Sequence, residues 1–343
     1  MDRHAALPRV LAVLAVTATL LSGPVPAQAR PGYLDPAPLG RGSDPRVAHL
    51  VGDTIVDGPR RVLATRLGDH WDLWTTRRGY LLNDYVERRD AFRLVYVSRS
   101  GDKRLIDRRR GPAGVAVSPS RRRVAWGQGW APVAVANPDT GRVLARRDFP
   151  DYATVVAVSE ARVLLTLQPR EAPPTTWWWD YRRDVLSQLS GEAAVRADLR
   201  HDRVVFWTGP EDRFCNRVAP LSRPDRTLWS SCRVGPRAWS PDGQRALATW
   251  TYFDENGTDR WLTVGDRTGD RLGGRVTGRL DWDAVWEDDR HFLTAVQSNQ
   301  GIAAVIRCTV GGSCERASRL CDVGWDGYPP FYLPPPVVLT NNP

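Results

Sequence analysis

The sequence predicts an all-β protein built as a β-propeller, with six blades of four antiparallel strands. Three observations lead there. First, short apolar runs separated by Gly, Asp, Pro and Arg turns fill the chain from Arg46 to about residue 322, and none of them shows a sustained helical period. Second, one pattern recurs, in which an Arg closes a turn and an apolar run follows. It appears as Arg78-Gly-Tyr-Leu-Leu82, Arg123-Val-Ala-Trp126, Arg162-Val-Leu-Leu165, Arg203-Val-Val-Phe-Trp207, Arg245-Ala-Leu-Ala248 and Arg290-His-Phe-Leu293. The steps between these arginines are 39 to 45 residues, the spacing of propeller blades, and a sandwich has no reason to repeat at that interval. Third, Trp239-Ser-Pro-Asp-Gly243 carries the chemistry of a tight turn between two strands. Pro241 presets φ, Asp242 can bond its own backbone, and Gly243 accepts a positive φ.

Taken in order, residues 1–29 read as a secretory signal peptide. Arg3 and Arg9 supply positive charge, Val10–Leu21 is apolar but too short to span a bilayer comfortably, and Ala27-Gln-Ala29 is a small-x-small cleavage site. Cleavage is expected after Ala29, which would release a secreted, extracellular protein through the general export route. Residues 30–45, rich in Pro, Gly and Arg, read as a flexible lead-in. Six propeller units then begin near Asp69, Ala113, Ala153, Ala194, Arg237 and Asp281. In the second unit the expected strands are Val115–Ser118, Arg123–Trp126, Pro132–Ala136 and Arg142–Arg146. In the fifth they are Arg237–Ser240, Arg245–Trp250, Arg260–Val264 and Arg271–Thr277.

Residues 46–67 hold two strand-like runs, Asp53–Val56 and Arg61–Thr65, and are assigned to closing the ring. The alternative is a seventh blade that shares strands with residues 322–340. The propeller is expected to span residues 46–322 and a Pro-rich tail residues 323–343. Tyr328-Pro-Pro-Phe-Tyr-Leu-Pro-Pro-Pro336 cannot donate a regular ladder at its prolines, so that tail is expected to lie across one face.

The Trp239-Ser-Pro-Asp-Gly243…Leu247-Ala248 motif, with its degenerate copy Ser118-Pro119…Val124-Ala-Trp126, resembles the repeat of TolB-like propellers. The resemblance covers about residues 46–322. It implies a six-bladed ring acting as a binding platform or interaction module of the envelope, and it names no ligand.

Composition narrows the function classes. The formal charge of +9 comes almost wholly from Arg, since Lys103 is the only lysine. The runs Arg108–Arg110 and Arg121–Arg123 lack the aromatic interleaving of a nucleic-acid reader, so no nucleic-acid partner is expected. No Gly-x-Ser-x-Gly elbow is present, which excludes a prolyl-oligopeptidase-type hydrolase. The five cysteines all lie in the C-terminal half. In an oxidising compartment Cys215 pairs best with Cys232, and Cys308 with Cys314, leaving Cys321; Cys314–Cys321 is the competing pair. No CxxC pair is present and His is scarce, so no metal site and no cofactor are expected.

Two groups are candidate ligand contacts. Trp177, Trp178 and Trp179 stand in a row on one strand, so they point to both faces, and at least one is expected at the surface near Tyr181. Asp281 and Asp283 alternate on an inner strand, where they could meet Asp72 across the channel. The first group favours a non-catalytic module, expected to be a monomer, that binds a protein or cell-wall glycan. The second favours the alternative, a saccharide-acting hydrolase or lyase at the channel mouth.

Overall fold

The computed structural model describes residues 34–64, 69–86, 91–110, 114–209, 215–250, 259–298, 300–322 and 337–339. Among these residues there is no helix, and none long and apolar enough to cross a membrane. The strands in chain order are β1 (His49–Val51), β2 (Thr54–Asp57) and β3 (Arg60–Leu63); then β4 (Asp69–Thr75), β5 (Gly79–Val86), β6 (Ala91–Ser98) and β7 (Lys103–Arg110). They continue with β8 (Val115–Val117), β9 (Val124–Trp126), β10 (Gln128–Gly129), β11 (Val133–Ala136) and β12 (Val143–Arg147). Next come β13 (Tyr152–Val158), β14 (Arg162–Gln168), β15 (Thr175–Asp180) and β16 (Val185–Ser190), and then β17 (Ala193–Asp198), β18 (Arg203–Trp207), β19 (Asn216–Pro220) and β20 (Trp229–Ser231). The last are β21 (Val234–Trp239), β22 (Arg245–Trp250), β23 (Asp259–Gly265), β24 (Arg271–Trp286), β25 (His291–Gln297), β26 (Ile302–Thr309), β27 (Cys314–Arg316), β28 (Cys321–Asp322) and β29 (Val337–Leu339).

Each repeat unit forms an antiparallel four-stranded meander, as the turn spacing predicts. Successive first strands lie side by side: β8 by β13, β13 by β17, β17 by β21, β21 by β24, β24 by β29 and β29 by β4. These strands therefore line the axis of a β-propeller. By continuous hydrogen bonding the described strands form six sheets. One has eight strands because β24 runs unbroken through the expected gap between Thr277 and Asp281, ending one unit and opening the next. Counted as meanders, the ring holds the six expected units and a composite sheet, β29-β1-β2-β3. That composite is the seven-blade alternative.

The composite sheet takes a strand from beyond the proline run, whereas Tyr328–Pro336, expected to lie across one face, fall outside the described residues. Val337, Val338 and Leu339 pair with Val51, Leu50 and His49. The proline constraint acts only at prolines, and Val337 is the first residue past the run with a free N–H. Leu339 is fully buried and packs with Val285, Leu293 and Val305 of the sixth unit.

The cores lie between blades, and each blade is covered on both faces. One cluster joins Ala125, Val133 and Val135 to Leu165 and Trp179; another joins Leu164 and Trp178 to Val204 and Phe206. Trp74, Trp126 and Trp286 are buried in such clusters, filling the wedge between sheets. Two disulfides brace the C-terminal half. Cys215–Cys232 closes the β19–β20 hairpin, and Cys308–Cys314 joins directly opposed residues of β26 and β27. Cys321 forms no disulfide.

Candidate binding surfaces

The tryptophan triplet is not the surface that its spacing suggests. Trp179 is 1% exposed, meets Phe149 and Tyr181 edge to face at 5.9 and 6.3 Å, and donates its indole N–H to Asp184 (2.9 Å). Trp178 is 8% exposed and faces the next blade, with Arg162 4.7 Å above its ring. Trp177 is half-buried and donates to the Thr175 hydroxyl (2.9 Å). Tyr181 is buried and its hydroxyl donates to the Glu160 carbonyl. Side chains on β15 do point to both faces, as expected. Both faces, however, carry a neighbouring blade, so the residues bury rather than reach solvent.

Asp72 lies on the axis-lining strand β4, half-buried, and accepts a hydrogen bond from Asn83 Nδ2 (2.9 Å). Asp281 and Asp283 belong to β24, but their side chains lie outside the described residues. The acids that follow them serve structure. Glu287 is buried against Arg307 (2.5 Å); burial raises its pKa, but the Arg307 contacts and the Arg46 N–H outweigh that and hold it below the usual carboxylate range. Asp288 caps the β24–β25 turn through the N–H groups of Arg290 and His291 (2.8 and 2.9 Å). Among the described residues, no group of three His, Cys, Asp or Glu is placed to hold a metal ion.

An exposed aromatic site is found elsewhere, at the end of the ring that carries the second-to-third strand connections. After β9 the chain leaves its own blade, and β10 pairs with β13 of the next, Gln128 opposite Thr154 and Gly129 opposite Ala153. Gly129 makes this possible, with φ +79° and the Tyr152 ring 3.4 Å from where a Cβ would stand. The detour raises Trp130, 55% exposed, against the edge of Tyr152 at 6.2 Å and 90°. Arg170, from the β14–β15 connection, lies 5.2 Å from the Trp130 ring centre, and Gln128 Nε2 donates to the Tyr152 hydroxyl (3.3 Å). An indole with more than half its surface in water, beside a guanidinium and a carboxamide, offers an apolar plate with hydrogen-bond donors around it. Gly127-Gln-Gly-Trp130 in one connection is the local sequence signal for this site.

The opposite end carries the first-to-second strand turns, which lie nearest the axis. Two are copies of one design. Ser240 and Ser118 are both buried, and each side-chain oxygen accepts the N–H five residues on, that of Arg245 or Arg123, at 3.0 Å in both turns. The fourth position has a positive φ in both turns, +68° at Gly243 and +60° at Arg121. Gly pays nothing for that conformation, whereas a residue with a Cβ loses about 1 kcal/mol. A Cβ on Gly243 would also collide with the His201 ring, which is held over the turn by Asp198 (2.8 Å) and the Pro241 carbonyl (3.0 Å). Arg121 is half-buried, and its guanidinium makes no hydrogen bond or ion pair with any described residue. Burial, together with the like charges of Arg200 and Arg99, pulls its pKa below the ordinary arginine value.

No protein-family model and no curated protein sequence matches the chain. Solved structures do. The Swd1 (Cps50) β-propeller domain of Myceliophthora thermophila is 10% identical, with a TM-score of 0.56 over 80% of this chain and 89% of that one. A chain of the mitotic checkpoint complex is 11% identical, with a TM-score of 0.54 over 90% of both. These likenesses show the propeller fold and nothing finer. TolB from Acinetobacter baumannii is 12% identical over 76% of this chain and 77% of its own, with a TM-score of 0.48.

Proposed function

We propose that the chain is a secreted, non-catalytic propeller of the cell envelope that holds a glycan or protein ligand on the face carrying Trp130. The carrying observation is the Trp130–Tyr152–Arg170–Gln128 site. A sugar ring stacks on an exposed indole, and its hydroxyls take hydrogen bonds from the carboxamide and guanidinium beside it. The secretion reading rests on the leader-like residues 1–29 with cleavage after Ala29. Two disulfides support it, because such bonds persist in oxidising compartments. The domain reading keeps residues 30–45 as a lead-in and residues 46–322 as the platform.

The test is co-sedimentation of the mature chain with purified wall polymer, comparing wild type with Trp130→Ala. Loss of one central aromatic contact costs about 1.4 kcal/mol or more, so binding is expected to weaken at least about tenfold at unchanged melting temperature. Equal binding by the variant removes the site from the function. Turnover of a saccharide by the wild type, lost on Asp281→Ala with Asp283→Ala, would replace this reading with the catalytic one.

A further inference from the structure

Six arginines lie over aromatic rings among the described residues. Four of them also spend N–H donors on the protein itself. Arg104 donates to the Asp139 carbonyl, and Arg109, Arg147 and Arg217 donate to the carboxylates of Asp107, Asp184 and Glu192. Arg162 lies over Trp178, whose ring is buried. Among the described residues Arg170 alone combines an exposed ring with unspent donors. Its guanidinium is 5.2 Å from the centre of the Trp130 ring, and it donates to no described residue, the adjacent Glu171 included. A cation–π contact uses the charge of the guanidinium and leaves its N–H fork free. The connection that carries Arg170 is stiff. Pro169-Arg-Glu-Ala-Pro-Pro174 joins β14 to β15, and proline fixes φ at three of its positions. The neighbouring polar groups offer both signs. The Tyr152 hydroxyl accepts from Gln128 Nε2 (3.3 Å), so its own O–H remains to donate, and Gln128 Oε1 remains to accept.

We propose that this site takes an acidic saccharide, with a sugar ring lying on the Trp130 indole and the carboxylate of that sugar pairing with Arg170. The proposal rests on the reading of Trp130 as a ligand contact and names the ligand class. In a uronic acid the carboxylate is attached directly to a ring carbon. A uronic acid stacked on the indole therefore brings its carboxylate beside a guanidinium held on the same indole. The planar fork of Arg170 matches the two carboxylate oxygens, and the ring hydroxyls meet the Tyr152 O–H and Gln128 Oε1. A neutral sugar leaves the cation unmatched. The net charge of +9 acts in the same direction by drawing an acidic polymer to the chain.

Isothermal titration of the full mature chain with two tetrasaccharides of the same linkage tests it: neutral cellotetraose, and its oxidised counterpart with a carboxylate on every ring. At low ionic strength the acidic probe is expected to bind at least about tenfold more tightly than the neutral one. Arg170→Gln should weaken the acidic probe about tenfold and leave the neutral probe unchanged, and added salt should act in the same way. Arg142→Gln, which removes an exposed charge from the other end of the ring, should bind both probes like wild type. The proposal falls if the acidic probe does not bind wild type, if the two probes bind equally, or if Arg170→Gln binds the acidic probe as tightly as wild type. It falls also if Arg142→Gln weakens the acidic probe as much as Arg170→Gln. Equal binding of both probes that is lost in Trp130→Ala would overturn the acidic class and leave the platform reading standing. Wall-polymer binding that ignores Trp130→Ala would overturn the platform reading itself.

Discussion

The turns Ser240-Pro-Asp-Gly243 and Ser118-Pro-Ser-Arg121 share a backbone and differ in what occupies the space above it. Both hook onto the turn of the following blade. The Asp242 N–H donates to Asp289 (2.8 Å), and the Ser120 hydroxyl donates to Glu160. Both hold their serine oxygen on the second strand. Over Gly243 sits His201 of the preceding blade, which leaves no room for a side chain. The equivalent position of the second unit holds Arg121, half-buried and at φ +60°. The repeat therefore keeps its geometry where blades must join, while the residue at the fourth position of the turn differs with what packs above it.

The comparison can be broken most severely by giving the fifth unit the residue of the second. Gly243→Arg combines the positive-φ cost with a clash against His201, and should lower stability by about 3 kcal/mol in chemical denaturation. A loss below about 1 kcal/mol would mean that the His201 lid moves aside easily. Next come the paired serines. Ser240→Ala and Ser118→Ala each take the side-chain acceptor from a part-buried backbone N–H, and each should cost about 1 kcal/mol. Unequal losses would show that the turns are alike in shape but not in energy.

Asp242 separates the two turns by pH. Burial raises its pKa, but hydrogen bonds from the Ser240 hydroxyl (2.6 Å) and the Gln244 N–H (3.0 Å), with Arg245 nearby, hold it below the usual carboxylate value. A depressed carboxylate contributes stability that is complete above its unfolded pKa of about 4 and fades as pH falls through the folded value. Asp242→Ser, which copies Ser120, should therefore be less stable than wild type near neutral pH and equal to it near pH 2. Asp242 is exposed, so solvent screening keeps the difference under about 1 kcal/mol. The smallest effect is expected from Arg121→Gly, a gain of at most about 1 kcal/mol as the strain at φ +60° is relieved.

Much of the architecture was legible because it is local and repeated. Turn residues at fixed offsets and an arginine before each apolar run locate the six meanders, and they place Arg245–Trp250 to the residue. The strand across Thr277–Asp281 was not legible, because whether a chain breaks between blades depends on how two sheets meet. The Trp177–Trp179 surface was misjudged for a related reason. Alternation says which way a side chain points, not whether another blade waits there. Trp130 was missed because β10 takes its hydrogen bonds from a different unit, and no pattern within its own repeat announces that.

The all-β class, the repeat unit, the turn chemistry and the four paired cysteines can be read from the chain alone, since each depends on residues close in sequence or on opposed positions of one hairpin. Three things came from the assembled ring: Val337–Leu339 completes the composite sheet, Trp178 and Trp179 are core, and Trp130 is lifted to the surface beside Tyr152. Each of those follows from which blades become neighbours when the ring closes, a long-range condition that spacing along the chain does not encode.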